Sequence, residues 1–402
     1  VAKSFYGGFM TNKSELINFI SPMLEIAQAV MEAKGDELKL CYQCGTCTAF
    51  CPWGNLKNFN PRKLIEMVRL GFEGFEEGMW TCVNCKLCQD KCPIQINIPQ
   101  LFQSVRSILL EWNSGPAELN IPIASLKDND NPWQQPKDSR DEWAKTIKVP
   151  PFKDDTEYLL YTCCTNDYDP RNQKDALAAI EILKRAKVDF GYIGNSQACC
   201  GDMVYTVGNN DIYASLETKN KAMFQQLGVK KIITFSPHCM NAFNNRYTYE
   251  ADENKPECQH LVEIYDNLIR ENKLEFKLPI KQKVTYHDPC YLGRYCNIYD
   301  APRNVINAIP EIQFIEMQYI REKSHCCGGG GGGAWLETEK GERLGDLRIL
   351  EAIEVGAEVI VTACPYCVQM LETSILGLEK ENQIQVLSIS ELLLKSLKNE
   401  EK

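Results

Sequence analysis

The run Cys41-x2-Cys44-x2-Cys47-x3-Cys51-Pro52 returns as Cys82-x2-Cys85-x2-Cys88-x3-Cys92-Pro93. With this spacing three close thiolates wrap one cubane 4Fe-4S centre while the fourth ligates its neighbour. Cluster one is therefore expected on Cys41, Cys44, Cys47 and Cys92, and cluster two on Cys82, Cys85, Cys88 and Cys51. Soft sulfur matches an iron-sulfide core. Each proline ends its loop, so the fourth cysteine can point across to the other centre. Zinc also uses CxxC pairs, but it needs only four ligands, usually two pairs well apart. Four cysteines crowded together twice point to iron instead.

The rest of the chain organises around that pair. Leu16, Phe19, Ile20, Leu24, Ala27, Val30 and Met31 return every three or four positions, the pattern of a packing helix within residues 1–40. Between the cysteine runs, Asn60-Pro61 reads as a helix start with Leu64, Ile65 and Val68 as the apolar face and Gly71 as the stop. From Trp112 to Tyr158 the periodicity dissolves into a segment rich in proline, with Asn131-Pro132-Trp133 and Pro150-Pro151, and a domain boundary is expected there. Beyond it, β-branched runs such as Val284-Thr285-Tyr286 and Val359-Ile360-Val361-Thr362 alternate with helical patterns such as 174–187, the rhythm of open α/β units.

That C-terminal part repeats itself. Gly228–Cys239 (GVKKIITFSPHC) lies over Gly356–Cys367 (GAEVIVTACPYC), Cys199-Cys200-Gly201 over Cys326-Cys327-Gly328, and Tyr168–Asn172 resembles Tyr299–Asn304. The expected fold is α+β: a helical ferredoxin-type domain at 1–112, a Pro-rich linker at 113–157, and two related α/β modules at 158–280 and 281–402. In the second module Cys290, Cys326, Cys327, Cys364 and Cys367 each fall near an expected strand end, where open α/β sheets place their ligands. The glycine run Gly328–Gly333 follows directly, and the N–H groups of Gly328, Gly329 and Gly330 are expected to approach thiolate or sulfide as a nest approaches an anion. No Lys-Ser/Thr follows it to make a phosphate loop.

With these motifs in place the chain resembles the family of the D-type subunit of heterodisulfide reductases, from about Leu40 to Leu394. Its relatives act in glycolate and lactate oxidation, in sulfate reducers and in anaerobic acyl-CoA electron-transfer complexes. The resemblance implies that Cys290, Cys326, Cys327, Cys364 and Cys367 ligate a non-cubane 4Fe-4S cluster, the kind of centre at which that family splits a disulfide. The first module departs from the pattern. It keeps Cys163 or Cys164, Cys199, Cys200 and Cys239 but has Ser236 where the other module has Cys364, and an alkoxide is a poor iron ligand. A fourth cluster on Cys163, Cys164, Cys199, Cys200 and Cys239 is therefore doubtful. Cys258 and Cys296 match no motif.

The expected function is an iron-sulfur oxidoreductase subunit passing electrons between a redox partner and the non-cubane cluster through the two cubanes. The alternative is an electron relay within a larger complex, without a substrate of its own. His238, His287 and His325 stand beside the cysteine motifs, where they either supply protons to a disulfide reduction or only hydrogen-bond sulfur or backbone. Arg294 either meets an anionic substrate or lies at the surface. No GxGxxG turn marks a flavin or nicotinamide site, so a flavoprotein or membrane cytochrome is the expected partner. The formal charge of -10, without a basic run, argues against nucleic acid. Residues 1–18 lack the pattern of a secretory leader, and no apolar run is long enough to span a bilayer. A cytoplasmic location with reduced cysteines is expected, with membrane association only through a partner.

Overall fold

The computed structural model describes residues 24–32, 36–249 and 255–397. The N-terminal helix Leu24–Glu32 buries Ala27 and Val30, while Leu16, Phe19 and Ile20 lie outside the described residues. Between the cysteine runs, the helix Pro61–Leu70 starts where Asn60 Oδ1 accepts the Lys63 N–H at 3.0 Å. It ends where Gly71 takes a left-handed φ of 69°, and Leu64, Ile65 and Val68 are buried. A third helix, Ile98–Glu111, carries Phe102, Val105, Ile108 and Leu109 into the same core.

Residues 113–157, expected as a linker, are not a loose tether. They form the helix Asn120–Asn129 and short 3-10 turns, and Leu119 and Leu126 are fully buried. The buried Arg140 pairs with the buried Asp167 at 2.8 Å, and the Asp130 carbonyl accepts the Cys199 N–H at 2.8 Å. The segment is a strap laid on the first α/β module. Its partners are distant in sequence, so local composition hides their effect.

Each module has one four-stranded parallel sheet. The first orders its strands β2-β1-β3-β4, with β1 Tyr158–Tyr161, β2 Phe190–Gly191, β3 Lys231–Thr234 and β4 Glu257–His260. The second orders them β6-β5-β7-β8, with β5 Lys283–His287, β6 Gln313–Phe314, β7 Val359–Thr362 and β8 Gln385–Ser388. Val284, Tyr286, Val359, Ile360 and Val361 are completely buried, as strands covered on both faces require. The registers correspond: Tyr161 faces Thr234 in one sheet, and His287 faces Thr362 in the other.

The modules share a core in which Leu160, Ile180 and Tyr265 meet Val284, Tyr286 and Leu392. Helix Pro170–Arg185 lies along helix Ile389–Ser396, and Arg171 reaches across to Glu391 at 3.0 Å. In each sheet the chain leaves its first strand in one direction and returns on the other side, so β1/β3 and β5/β7 are switch points. Ligands in such sheets sit beyond the strand ends at the switch point.

Candidate metal centres

Both ferredoxin-type loops are bent by the same backbone device. Gln43 and Gly45 have φ of 62° and 84°, and Asn84 and Lys86 repeat this at 56° and 69°. Left-handed residues on either side of a cysteine turn the chain around a concavity that suits an anion. The eight thiols then line two separate pockets. One, with about 350 Å³ of non-atom space, is bordered by Cys41, Cys44, Cys47 and Cys92; Ile65, Ile96 and Ile98 also line it. The other, of about 410 Å³, is bordered by Cys51, Cys82, Cys85 and Cys88, with Trp53, Phe59 and Phe102 in its wall.

The surroundings of the second pocket call for negative charge. Arg106 is buried and donates only to carbonyls: Met79 O, Cys82 O, Thr206 O at 2.9 Å and Gly331 O at 3.2 Å. Arg294 is buried too and donates to Cys85 O at 2.6 Å, Glu322 O at 3.2 Å and Ser324 O at 2.8 Å. Among the described residues its Nη2 has no hydrogen-bond partner, and neither does the buried indole N–H of Trp53. Two buried cations without a carboxylate are costly unless an anion lies beside them. A tetrathiolate iron-sulfur core is such an anion, and the residues fit it. Arg294 thus does not lie at the surface. Sequence reasoning missed Arg106, although a charge among Phe102, Val105 and Leu109 on one helix face was a usable signal.

In the second module, Cys290, Cys326, Cys327, Cys364 and Cys367 come together, all buried. Cys290 and Cys326 stand 3.8 Å apart, Cys327 and Cys367 3.3 Å, and the Gly328 N–H donates to Cys326 Sγ at 3.4 Å. A side chain at Gly329 would press on Met370 and Tyr366. A side chain at Gly330 would collide with the Val83 carbonyl, so that part of the glycine run is a docking face for the ferredoxin-type loop. Cys85 neighbours Cys326, and Arg294, bonded to the Cys85 carbonyl, faces Cys290 and Cys326 as well, so the second pocket adjoins this thiol set.

The histidines separate by role. His287 sits fully buried at the end of β5; its Nδ1 accepts from Arg348 Nε at 3.2 Å. Burial holds it neutral, which leaves the proton on Nε2, a nitrogen that has no oxygen or nitrogen partner among the described residues and faces Cys327 and Cys367. His238 comes from the first module, yet it faces Cys364 of the second. Burial opposes its charge, but Asp202, 2.6 Å from Nδ1, overrides this and raises it to about 10. Its ring stacks on Tyr291 at 3.7 Å. His325 turns away from the thiols: its Nδ1 pairs with Glu351 at 2.6 Å and its ring stacks on Tyr319.

The first module brings together Cys163, Cys164, Cys199, Cys200 and Cys239, each at most 5% exposed. Cys164 and Cys199 are 3.7 Å apart. Ser236 is buried with its Oγ accepting the His238 N–H at 3.3 Å, a cap on the helix Pro237–Asn241. Cys258 lies buried on β4, outside both sets, and Cys296 lies half-buried beyond the second.

Comparison with known proteins agrees with this architecture. Residues 37–96 match the 4Fe-4S dicluster domain, and residues 158–244 and 284–372 each match the cysteine-rich CCG domain. The chain thus carries the domain set of an iron-sulfur protein. In this combination of domains it resembles the D-type subunit of heterodisulfide reductase. It is 34% identical over 350 residues to a probable iron-sulfur-binding oxidoreductase of Bacillus subtilis, covering 85% of this chain and 48% of that protein. It is 34% identical over 336 residues to an EtfAB:quinone oxidoreductase of Syntrophomonas wolfei, covering 80% and 47%. The D-type subunit of the dihydromethanophenazine:CoB–CoM heterodisulfide reductase of Methanosarcina barkeri is 27% identical over 90% of this chain and 94% of its own length. The chain thus spans about half the length of the first two relatives. The crystal structure of a hypothetical protein from Helicobacter pylori shares the fold, with a TM-score of 0.54, 13% identity, and coverage of 93% of this chain and 77% of that one. Among the described residues, no helix is long and apolar enough to cross a membrane.

Proposed function

We propose that this chain passes electrons between a redox partner and a non-cubane 4Fe-4S centre on Cys290, Cys326, Cys327, Cys364 and Cys367, by way of two cubanes. Cys41, Cys44, Cys47 and Cys92 would hold the first cubane, and Cys82, Cys85, Cys88 and Cys51 the second. When bound, the clusters supply one-electron chemistry, and the protein supplies position and electrostatics. The observation that carries the reading is the seating of the Cys82–Cys88 loop on the second module, where Arg294 bonds the carbonyls of Cys85 and Ser324 and Gly330 abuts Val83, which makes Cys85 a neighbour of Cys326.

The chain's own groups suit a reaction in which electrons and protons arrive together. Arg294 holds a cation between Cys85 and the Cys290–Cys326 pair. His287 aims an N–H at Cys327, and His238, kept protonated by Asp202, holds a proton beside Cys364. A disulfide accepting two electrons needs two protons, so a thiol-disulfide couple is the substrate class favoured here. The redox partner is a flavoprotein or a membrane cytochrome. The first is favoured by the name of the Syntrophomonas relative, whose EtfAB is an electron donor by that name's own terms.

The test is electron transfer through the anaerobically purified full chain with Cys326→Ala. Loss of transfer, with both cubane resonance signals retained, is the expected result. Undiminished flow would take the CCG thiols off the path and leave a relay that ends at the cubanes.

A further inference from the structure

The substitution that makes the first module look incomplete is compensated within the same site. Strand register fixes the equivalence. Tyr161 pairs with Thr234 as His287 pairs with Thr362, so Ser236, two residues past Thr234, occupies the place of Cys364, two past Thr362. By the same count Cys164 stands where Cys290 stands, three residues past its strand, and Cys163 stands where the second module has Pro289. Cys163 is therefore an additional thiol, present only in the module that has serine in place of cysteine two residues past its third strand.

Its position supports this. Cys163 interacts with both Cys164 and Cys239, Cys164 with Cys199, Cys199 with Cys200, and Cys200 with Cys239. The five thiols form a closed ring. In the second module the corresponding thiols run Cys290, Cys326, Cys327, Cys367, Cys364. There Cys364 is the neighbour of Cys367; in the first module Cys163 is the neighbour of Cys239, the counterpart of Cys367. Gly201 and Gly328, which follow the adjacent cysteine pairs, take left-handed φ of 80° and 97°, so the two loops bend alike. Ser236 is occupied as a helix cap.

A single metal ion does not suit the ring. Among the described residues, the group of three ligand side chains compact enough for one ion is His287, Cys327 and Cys367, in the other module. Five thiols spread around a shared space are the donor set of a polynuclear iron-sulfur centre, soft ligands for a soft core. We propose that Cys163, Cys164, Cys199, Cys200 and Cys239 form a complete iron-sulfur site in which Cys163 takes the ligand position that Ser236 has vacated. The kind of centre rests on the reading proposed above for the second module; the relocated ligand rests on the ring and the strand register.

The experiment counts iron and acid-labile sulfide in the anaerobically purified full chain, with paramagnetic resonance spectra, for wild type, C163A, C163A/S236C and C327A. The expected wild-type content is about sixteen irons, four centres of four. C163A should fall to about twelve while both cubane signals persist, which also shows that the variant folds. C163A/S236C should recover the lost iron. A wild-type content near twelve, unchanged by C163A, would overturn the inference and leave a ring of bare thiols. Loss of iron in C163A without recovery in C163A/S236C would overturn the claim that the two positions are interchangeable. C327A keeps the two readings apart: if it loses no iron, the second-module assignment fails, whatever C163A does.

Discussion

The two CCG modules share a strand order and a thiol count, but they are connected to the rest of the molecule in different ways. The first closes its five thiols into a ring, and Tyr161, at the end of β1, spends its hydroxyl on the Ala198 carbonyl and Asn220. The second has His287 at that strand position with an N–H free to meet sulfur. It also receives Cys85 from the ferredoxin-type domain and His238 from its sister module. One duplicated fold has thus yielded two buried thiol sets with different neighbours, a tyrosine at the first and Cys85 with two imidazoles at the second. Fold alone does not distinguish them; the side chains at equivalent strand ends do.

The sharpest way to break this asymmetry is to remove one thiol from each module. C327A should abolish turnover in any coupled assay, whereas C200A should leave Cys85 beside Cys326 and retain measurable transfer. Equal loss from both would mean that the modules act as one site. The next effect in size concerns the buried arginines. R106A leaves carbonyls of Met79, Cys82, Thr206 and Gly331 without their donor, in the ferredoxin-type domain and both modules. R294A orphans Cys85, Glu322 and Ser324 carbonyls in the ferredoxin-type domain and the second module alone. At about 1 kcal/mol or more per orphaned acceptor, both should lower the anaerobic denaturation midpoint, R106A further. The reverse order would show that the joint to the second module is the stronger of the two.

Acid offers a probe centred on the end of the first module's sheet. His260, at the end of β4, accepts the Val262 N–H on Nδ1 at 3.2 Å and donates from Nε2 to the Phe235 carbonyl at 2.9 Å, so it is fixed in the neutral form. Burial pushes its pKa down to about 4 from 6.5, against the backbone carbonyls that favour the charged form. Between those values the unfolded chain binds a proton that the folded chain refuses. The stabilising contribution is therefore full above pH 6.5 and is lost as pH falls toward 4, by up to about 3 kcal/mol. His260→Asn should flatten that part of the stability profile relative to wild type when both are denatured at pH 7.5 and pH 5. An unchanged slope would place the acid sensitivity elsewhere.

Much of this was readable in the sequence wherever the cause is local. Asn60, Pro61 and Gly71 bracket their helix through bonds to near neighbours, and the β-branched runs before Cys290 and Cys364 form the strands they suggest. The repeat of Gly228–Cys239 in Gly356–Cys367 reappears as two sheets of one order. What the sequence concealed depends on distant partners. The segment at 113–157 looks like a linker until Arg140 finds Asp167, and the seating of Cys85 beside Cys326 joins domains that no local pattern connects. Alignment of the repeats exposed Ser236 as a departure. It left open whether Cys163 or Cys164 faces inward, because adjacent cysteines are told apart only by the turn that follows the strand.

The smallest predicted effect tests Ser236 directly. Its Oγ caps the helix Pro237–Asn241 by accepting the His238 N–H, and a lost cap of this kind costs about 1 kcal/mol. S236A should therefore lower stability by about that amount and leave the iron content untouched, because on the ring geometry Ser236 contributes no ligand. C164A, at the position equivalent to Cys290, should instead cost iron. If S236A lost iron while C163A did not, the serine would be the ligand and the extra cysteine a bystander. The first module would then be a weakened copy of the second, with its ligand position unmoved.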